Sequence, residues 1–374
     1  MALVGCGTKQ GSLLQGSSTT PKATSHFHKS STQTASHTPV LISLRMVSSN
    51  TGWAIGANGS ILHTTNGGGV WHTVSSTAVQ HVIERALDQK QMPLTKNTLI
   101  TVNFPSNAVA WVGVKVGTHI QIFQTNDGGT NWNRSTLTAL KTTSTITLSS
   151  TNGQRAWVMD AVNGMAGSST TKLWETSVGG SHWNLVQHGS APADVSITFD
   201  LNGVGWETGT TPVFNQIVMA RSCDGGIHWK REPWTLPNGQ FQVTTFTPQY
   251  DGVTPIVPSL LVNQHTQKQQ WIFQRWNPTA NTWNALPTLP KSTDKGVSPP
   301  LSAFVGKNGW VVGSKTLGLV QHGHWNTEKL PTGTPLAVSF VTTKRGWLLQ
   351  GHRHSSTLWM TNNGGNTWEE LNYR

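Results

Sequence analysis

The sequence predicts an all-β fold: a seven-bladed β-propeller of four-stranded antiparallel blades with one short helical insertion. Three observations carry this. A turn of the form hydroxyl-x-Asp/Asn-Gly-Gly-x-x-Trp recurs at Thr64–Trp71, Thr125–Trp132, Ser222–Trp229 and Thr361–Trp368, and a worn copy at Thr176–Trp183 has Val178 in place of the acid. A second landmark, a small residue followed by Trp, stands ahead of most copies at Trp53, Trp111, Trp157, Trp206, Trp310 and Trp347. The turn tryptophans stand at 71, 132, 183, 229, 283, 325 and 368, so successive spacings are 61, 51, 46, 54, 42 and 43 residues. One four-stranded blade takes ~40–50.

Each element follows from its residues. In the turns, Asn66, Asp127, Asp224 and Asn363 are expected to accept backbone N–H groups of a tight reversal, helped by the preceding hydroxyl. The Gly pair supplies backbone angles that residues with a Cβ avoid. Trp71, Trp132, Trp183, Trp229 and Trp368 open the next strand and bury a ring beneath the turn. The two landmarks together absorb thirteen of the eighteen tryptophans, which assigns most of the aromatic content to packing between blades rather than to sugar platforms. In the last blade the four strands read as 336–341, 346–350, 357–361 and 367–371; in the fifth, 256–262 takes the slot of the missing second-strand Trp. The 61-residue first spacing holds an extra segment in which Val79, Val82, Ile83, Ala86 and Leu87 form a helical stripe, with Thr77 as cap and Pro93 after it. The insertion is therefore placed at about 77–92 and the propeller at 39–374.

The recurring turn resembles the Asp-box, or BNR repeat, of sialidase-like propellers. Asn277-Pro278-Thr279-Ala280-Asn281-Thr282-Trp283 is similar to a kelch turn, and Gln321–Trp325 reads as a shortened one. The stretch Gly52–Gly68 resembles the photosystem II stability and assembly factor family, most strongly in the first blade. That resemblance implies a non-enzymatic scaffold that binds membrane-protein partners.

Residues 1–38 predict location. Leu3-Val4-Gly5-Cys6 resembles a bacterial lipobox, which implies diacylation of Cys6. Only Met1 and Ala2 precede it, where a precursor of that kind carries a basic segment and an apolar run. The Gly, Ser, Thr, Lys and His residues that follow, almost without apolar content, read as a flexible tether. The expectation is an exported protein, lipid-anchored at the bacterial cell surface. No run of ~18 apolar residues predicts a membrane span. Lys plus Arg exceed Asp plus Glu by 26 to 15, which suits an anionic cell-envelope partner or a protein. The basic residues are scattered, so no nucleic-acid partner is expected. A monomer without cofactor is expected. With two cysteines, and no local partner for Cys223, disulfides are not expected to stabilise the fold.

Chemistry is harder to find. Sialidases resemble one another in an arginine cluster and a Tyr nucleophile with a Glu partner; here the only tyrosines are Tyr250 and Tyr373, the latter expected to fray. Other glycosidases need two positioned carboxylates. Asp160, Asp200, Glu207 and Asp251 lie near strand ends, but their spacing selects no pair. The histidine pairs His26/His28, His322/His324 and His352/His354 have no carboxylate or Cys close in sequence, and the turns lack the repeated acids that calcium needs, so no metal is expected. The sequence thus favours a binding or assembly scaffold, with a glycan-binding module or a sialidase-like glycoside hydrolase as the alternative. Few acids and exposed histidines also predict tolerance to about pH 3.

Overall fold

A computed structural model describes residues 38–88, 99–164, 167–211, 213–232, 236–289, 301–321, 323–352 and 355–374. The tether with Cys6, the end of the helical insertion beyond residue 88, and His322, Arg353 and His354 lie outside the described residues. Within them the chain is built of antiparallel strands and one helix.

The strands follow one another as up-and-down sheets that fit propeller blades. The first four-stranded sheet comprises Leu41–Met46, Gly52–Gly56, Ile61–Thr64 and His72–Thr73; the second comprises Ile100–Asn103, Ala110–Val116, His119–Thr125 and Asn133–Thr138. The last two are Leu301–Val305 to His324–Lys329, and Thr334–Phe340, Gly346–His352, Ser355–Thr361 and Glu369–Leu371. Between them, twelve strands from Thr145 to Ala285 form one continuous sheet. Its continuity comes from the 16-residue strand Asn184–Phe199. The first half of that strand pairs with Ser168–Thr176 and the second half with Gly205–Thr210. A single pair, Thr210↔Thr244, joins the next group. The second-strand slot of the fifth repeat is filled by Pro255–Asn263.

Apolar residues collect between sheets rather than within one. Trp53, Ile55 and Ile61 of the first sheet share a cluster with Ile100, Val112 and Val114 of the second. Leu41, Leu44 and Met46 share another with Trp347, Leu349 and Leu358 of the last sheet. The second-strand tryptophans are the deepest side chains, with Trp53, Trp111, Trp157, Trp310 and Trp347 at 0% exposure, whereas the turn rings of Trp183, Trp229 and Trp368 are only half-buried. Four of these five indoles reach forward along the chain, and the fifth reaches back to its start. Trp53 Nε1 donates to Ser106 O, Trp111 to Asn152 O, Trp157 to Gly225 O and Trp310 to Gly364 O, all within 2.7–2.9 Å. Trp347 Nε1, in the last sheet, donates to Gly67 O in the first at 2.9 Å. A buried indole N–H that finds a carbonyl avoids the cost of an unpaired donor. The Gly before the Trp has a steric reason: a Cβ at Gly346 would sit 2.3 Å from Phe340 Cε1, and the Phe340 ring stacks on Trp310 at 3.7 Å.

The helix spans Thr77–Asp88 and lays its stripe on the first two sheets: Val79, Ile83 and Ala86 are buried, with Val82 and Leu87 packed alongside. Its cap differs from the expectation. Ser76, not Thr77, is the capping residue, because its Oγ accepts the Val79 N–H three positions on, where a cap must reach.

Two further expectations are corrected. Tyr373 does not fray; it is 8% exposed, its hydroxyl meets Ser356, and the backbone after it bonds to the first sheet through Trp71 N to Arg374 O (2.7 Å) and Arg374 N to Gly69 O (3.3 Å). These bonds hold the end of the chain in place. Cys223 does not lack a partner.

Candidate functional site

The turn residues that recur in sequence share one geometry. Thr64 Oγ1 donates to Asn66 Oδ1 at 3.0 Å and accepts Gly68 N at 3.1 Å, while Asn66 Oδ1 accepts Val70 N at 2.9 Å. Thr125 with Asp127, Ser222 with Asp224 and Thr361 with Asn363 repeat the pattern, and the oxygens of Asp127, Asp224 and Asn363 accept Asn131 N, His228 N and Thr367 N at 2.9–3.0 Å. Burial raises the Asp127 pKa, but bonds from Asn131, Thr125 and Thr130 outweigh it and leave the carboxyl below its ordinary value. Asp224 is lowered in the same way by His228 and Ser222. Thr176 keeps the hydroxyl bond, to Gly180 N, without the acid. Below the turns, Trp132 Nε1 donates to Val74 O and Gly129 O, Trp229 Nε1 to Gly226 O, and Trp183 Nε1 to Ser135 Oγ; Trp71 and Trp368 leave Nε1 without a partner among the described residues. Lone pairs already taken by the turn's own N–H groups are not available to a substrate.

The four acids that sequence reading singled out near strand ends do not converge. Asp160 is fully buried and accepts Leu140 N. Lys115, close enough for the Asp160 charge to act on it, is pushed below its ordinary pKa by burial, which that charge opposes. Asp200 closes its own turn through Asn202 N and Val204 N. Asp251 accepts Val253 N and Thr254 N and faces Arg275 at 3.4 Å. Glu207 is buried without a hydrogen bond among the described residues, and burial pushes its carboxyl up to about 7. A tyrosine nucleophile is equally poorly served: burial, then the Asp200 charge, push the Tyr250 hydroxyl well above its ordinary value. Nine of the ten described histidines are exposed; His63, half-buried against Trp53, is the other. No group of three or more His, Cys, Asp or Glu gathers among the described residues. No described helix is long and apolar enough to cross a membrane.

What sequence reasoning missed is the space between the innermost strands. Strands of the first sheet, of the Phe241–Ala285 group and of the last two sheets converge on a cavity of about 300 Å³. Ser43, Thr247, Gln249 and Ser302 give it hydrogen-bonding groups, and Leu336 and Val338 give it apolar wall. Ser302 Oγ donates to Gln249 Oε1 at 3.1 Å. Among the described residues, Arg45 is the only charged one lining it. The arginine is exposed to this space, yet the protein around it lowers its pKa by desolvation. The one signal in the sequence was a cation on an inner strand, between the core residues Leu44 and Met46.

No protein-family model and no curated protein sequence matches the chain. Solved structures do match in fold. The GH74 enzyme of Niastella koreensis is similar at 10% identity with a TM-score of 0.58, over 88% of this chain and 54% of that one. The acylaminoacyl peptidase of Pyrococcus horikoshii is similar at 9% identity and a TM-score of 0.51, over 89% and 52%. YCF48 bound to a D1 peptide aligns at 17% identity and a TM-score of 0.48, over 73% and 81%. At such identities the first two likenesses are of fold alone, and they support a β-propeller architecture.

Proposed function

We propose that residues 39–374 form a closed seven-bladed Asp-box propeller that works as a non-enzymatic scaffold, binding a protein or cell-envelope partner, and that residues 1–38 tether it to the bacterial surface through a lipid on Cys6. Closure is supported by the bonds from Trp347 to Gly67 and from Trp71 to Arg374, and by Leu41 N donating to Ser356 Oγ at 2.7 Å. The twelve-stranded sheet then counts as three blades, two of them sharing the strand Asn184–Phe199.

The observation that carries the scaffold reading is the dispersal of the acids. Asp160, Asp200, Glu207 and Asp251 are each engaged or enclosed singly, so no pair is poised as acid and base or nucleophile across a glycosidic bond. The resemblance of Gly52–Gly68 to assembly factors points the same way. The test is a screen of the purified chain against chromogenic glycosides and sialosides. No turnover is expected; turnover abolished by Asp160→Asn or Asp251→Asn refutes the scaffold and favours the hydrolase. Mass spectrometry of the mature N-terminus tests the anchor: a diacylglyceryl thioether on Cys6 supports it, and an unmodified or disulfide-bonded Cys6, or a start well downstream, overturns it. Two or more acyl chains are needed, because one binds membranes only marginally.

A further inference from the structure

We propose that the cavity between the innermost strands binds a compact hydroxylated carboxylate, with Arg45 as its charge partner. Four other arginines held against the sheets are matched, while Arg134 and Arg231, on outer strands away from the cavity, carry no ion pair among the described residues. Arg155 pairs with Glu175 at 2.8 Å, Arg221 with Glu232 at 2.9 Å and Arg275 with Asp251 at 3.4 Å, while Arg345 bonds Asn362 and lies over the Trp347 ring. Arg45 has no hydrogen bond or ion pair from its side chain among the described residues. A guanidinium stays protonated at any ordinary pH, and Arg45 opens onto the cavity with no countercharge among the described residues, which leaves its charge available to an anion from solution.

The walls narrow the chemistry. One cation lines the cavity, which matches a monoanion; a phosphate dianion calls for more positive charge than Arg45 alone supplies. The guanidinium fork fits the two oxygens of a carboxylate side by side. Around it, Ser43, Thr247 and Ser302 offer hydroxyls. Gln249 spends Oε1 on Ser302, which leaves its amide N–H groups to donate. Leu336 and Val338 lie where the carbon skeleton would rest. A water occupies ~30 Å³ of liquid volume, so about 300 Å³ takes on the order of ten non-hydrogen atoms, the size of a hydroxy acid or a sugar acid.

The site is independent of the scaffold reading, since it concerns the innermost strands and not the face that meets a partner. Isothermal titration of the whole chain with gluconate, lactate, sorbitol and inorganic phosphate tests it. Saturable binding of gluconate or lactate is expected, with none by sorbitol, which has hydroxyls but no charge. Arg45→Gln should weaken the carboxylate at least tenfold, as loss of a hydrogen bond to a charged group does. Should Arg45→Gln fail to fold, Arg45→Lys keeps the charge, loses the fork, and should still weaken binding. Three results overturn the proposal: no binding by either carboxylate, carboxylate binding unchanged by a folded Arg45 variant, or phosphate bound more tightly than gluconate.

Discussion

Replacing Trp347 by Phe separates the hydrogen bond between the first and last sheets from the ring that carries it. Trp347 is fully buried, and its N–H donates to Gly67 O at 2.9 Å across those sheets. Phe keeps an aromatic ring but removes the donor, so a buried carbonyl loses its partner, which costs ~1–3 kcal/mol. The smaller ring also gives up burial worth ~1 kcal/mol. The sum is about 2–4 kcal/mol. Trp71 is the internal control, because it is 5% exposed and its indole N–H has no partner. Trp71→Phe gives up the same area but also removes a buried unpaired donor, so it should cost no more than ~1 kcal/mol. Urea unfolding followed by circular dichroism reads both, with the slope checked for a common transition. If Trp71→Phe destabilises as much as Trp347→Phe, the indole bond is not what ties the last sheet to the first.

Other perturbations have defined outcomes. Gly346→Ala should destabilise by ~1–3 kcal/mol through overpacking against Phe340, and a variant that melts like the wild type refutes that contact. Asp127→Ala should cost only about 0.5–1.5 kcal/mol, because the turn is exposed and water can take over the Asn131 N–H; a loss well above this in urea titration means that the turn organises more than itself. Glu207 sets a pH dependence. Its carboxyl is raised from 4.5 to about 7, so between those values the folded chain holds a proton that the unfolded chain has released. Its contribution is therefore complete below pH 4.5 and is lost, by ~3 kcal/mol, as pH rises through 7. Melting curves should show wild type gaining stability from pH 8 to 5 and Glu207→Gln gaining less; equal gains refute the assignment. His63 acts in the opposite sense: burial lowers its pKa below 6.5, so its contribution fades as pH falls and the unfolded ring takes up a proton.

Turns and helix were legible because their partners lie a few residues away. Thr64, Asn66 and Val70 meet within a single reversal, and hydroxyl, Asx and Gly spacing encodes that directly; the cap was misplaced by one residue, at Thr77 instead of Ser76. Contacts across the molecule left no such trace. Trp347 and Gly67 are 280 positions apart, and nothing in the Gly-Trp dipeptide says which carbonyl its indole finds. Position along the chain misled for Tyr373, whose neighbours Ser356 and Leu41 come from both ends of the sequence. Arg45 reads as one scattered cation until strands from 200 to 300 residues further on surround it. Both tryptophan landmarks were read as packing between blades, and the second-strand rings are the deeper of the two.

The strand Asn184–Phe199 has a consequence for how the molecule opens. A protein assembled from separate sheets can let one swing out while its neighbours hold, and amide exchange then reports a different free energy for each unit. Here a single extended segment is the outer edge of one group of strands and the innermost strand of the next. The strand passes from one group to the other without a loop, residues 184–192 pairing on one side and 193–199 on the other, and Phe199 N donates to Ser149 Oγ between them at 2.8 Å. Slow amides from Thr145 to Ser222 should therefore exchange as one cooperative block, while the first two sheets and the last two retain rates of their own.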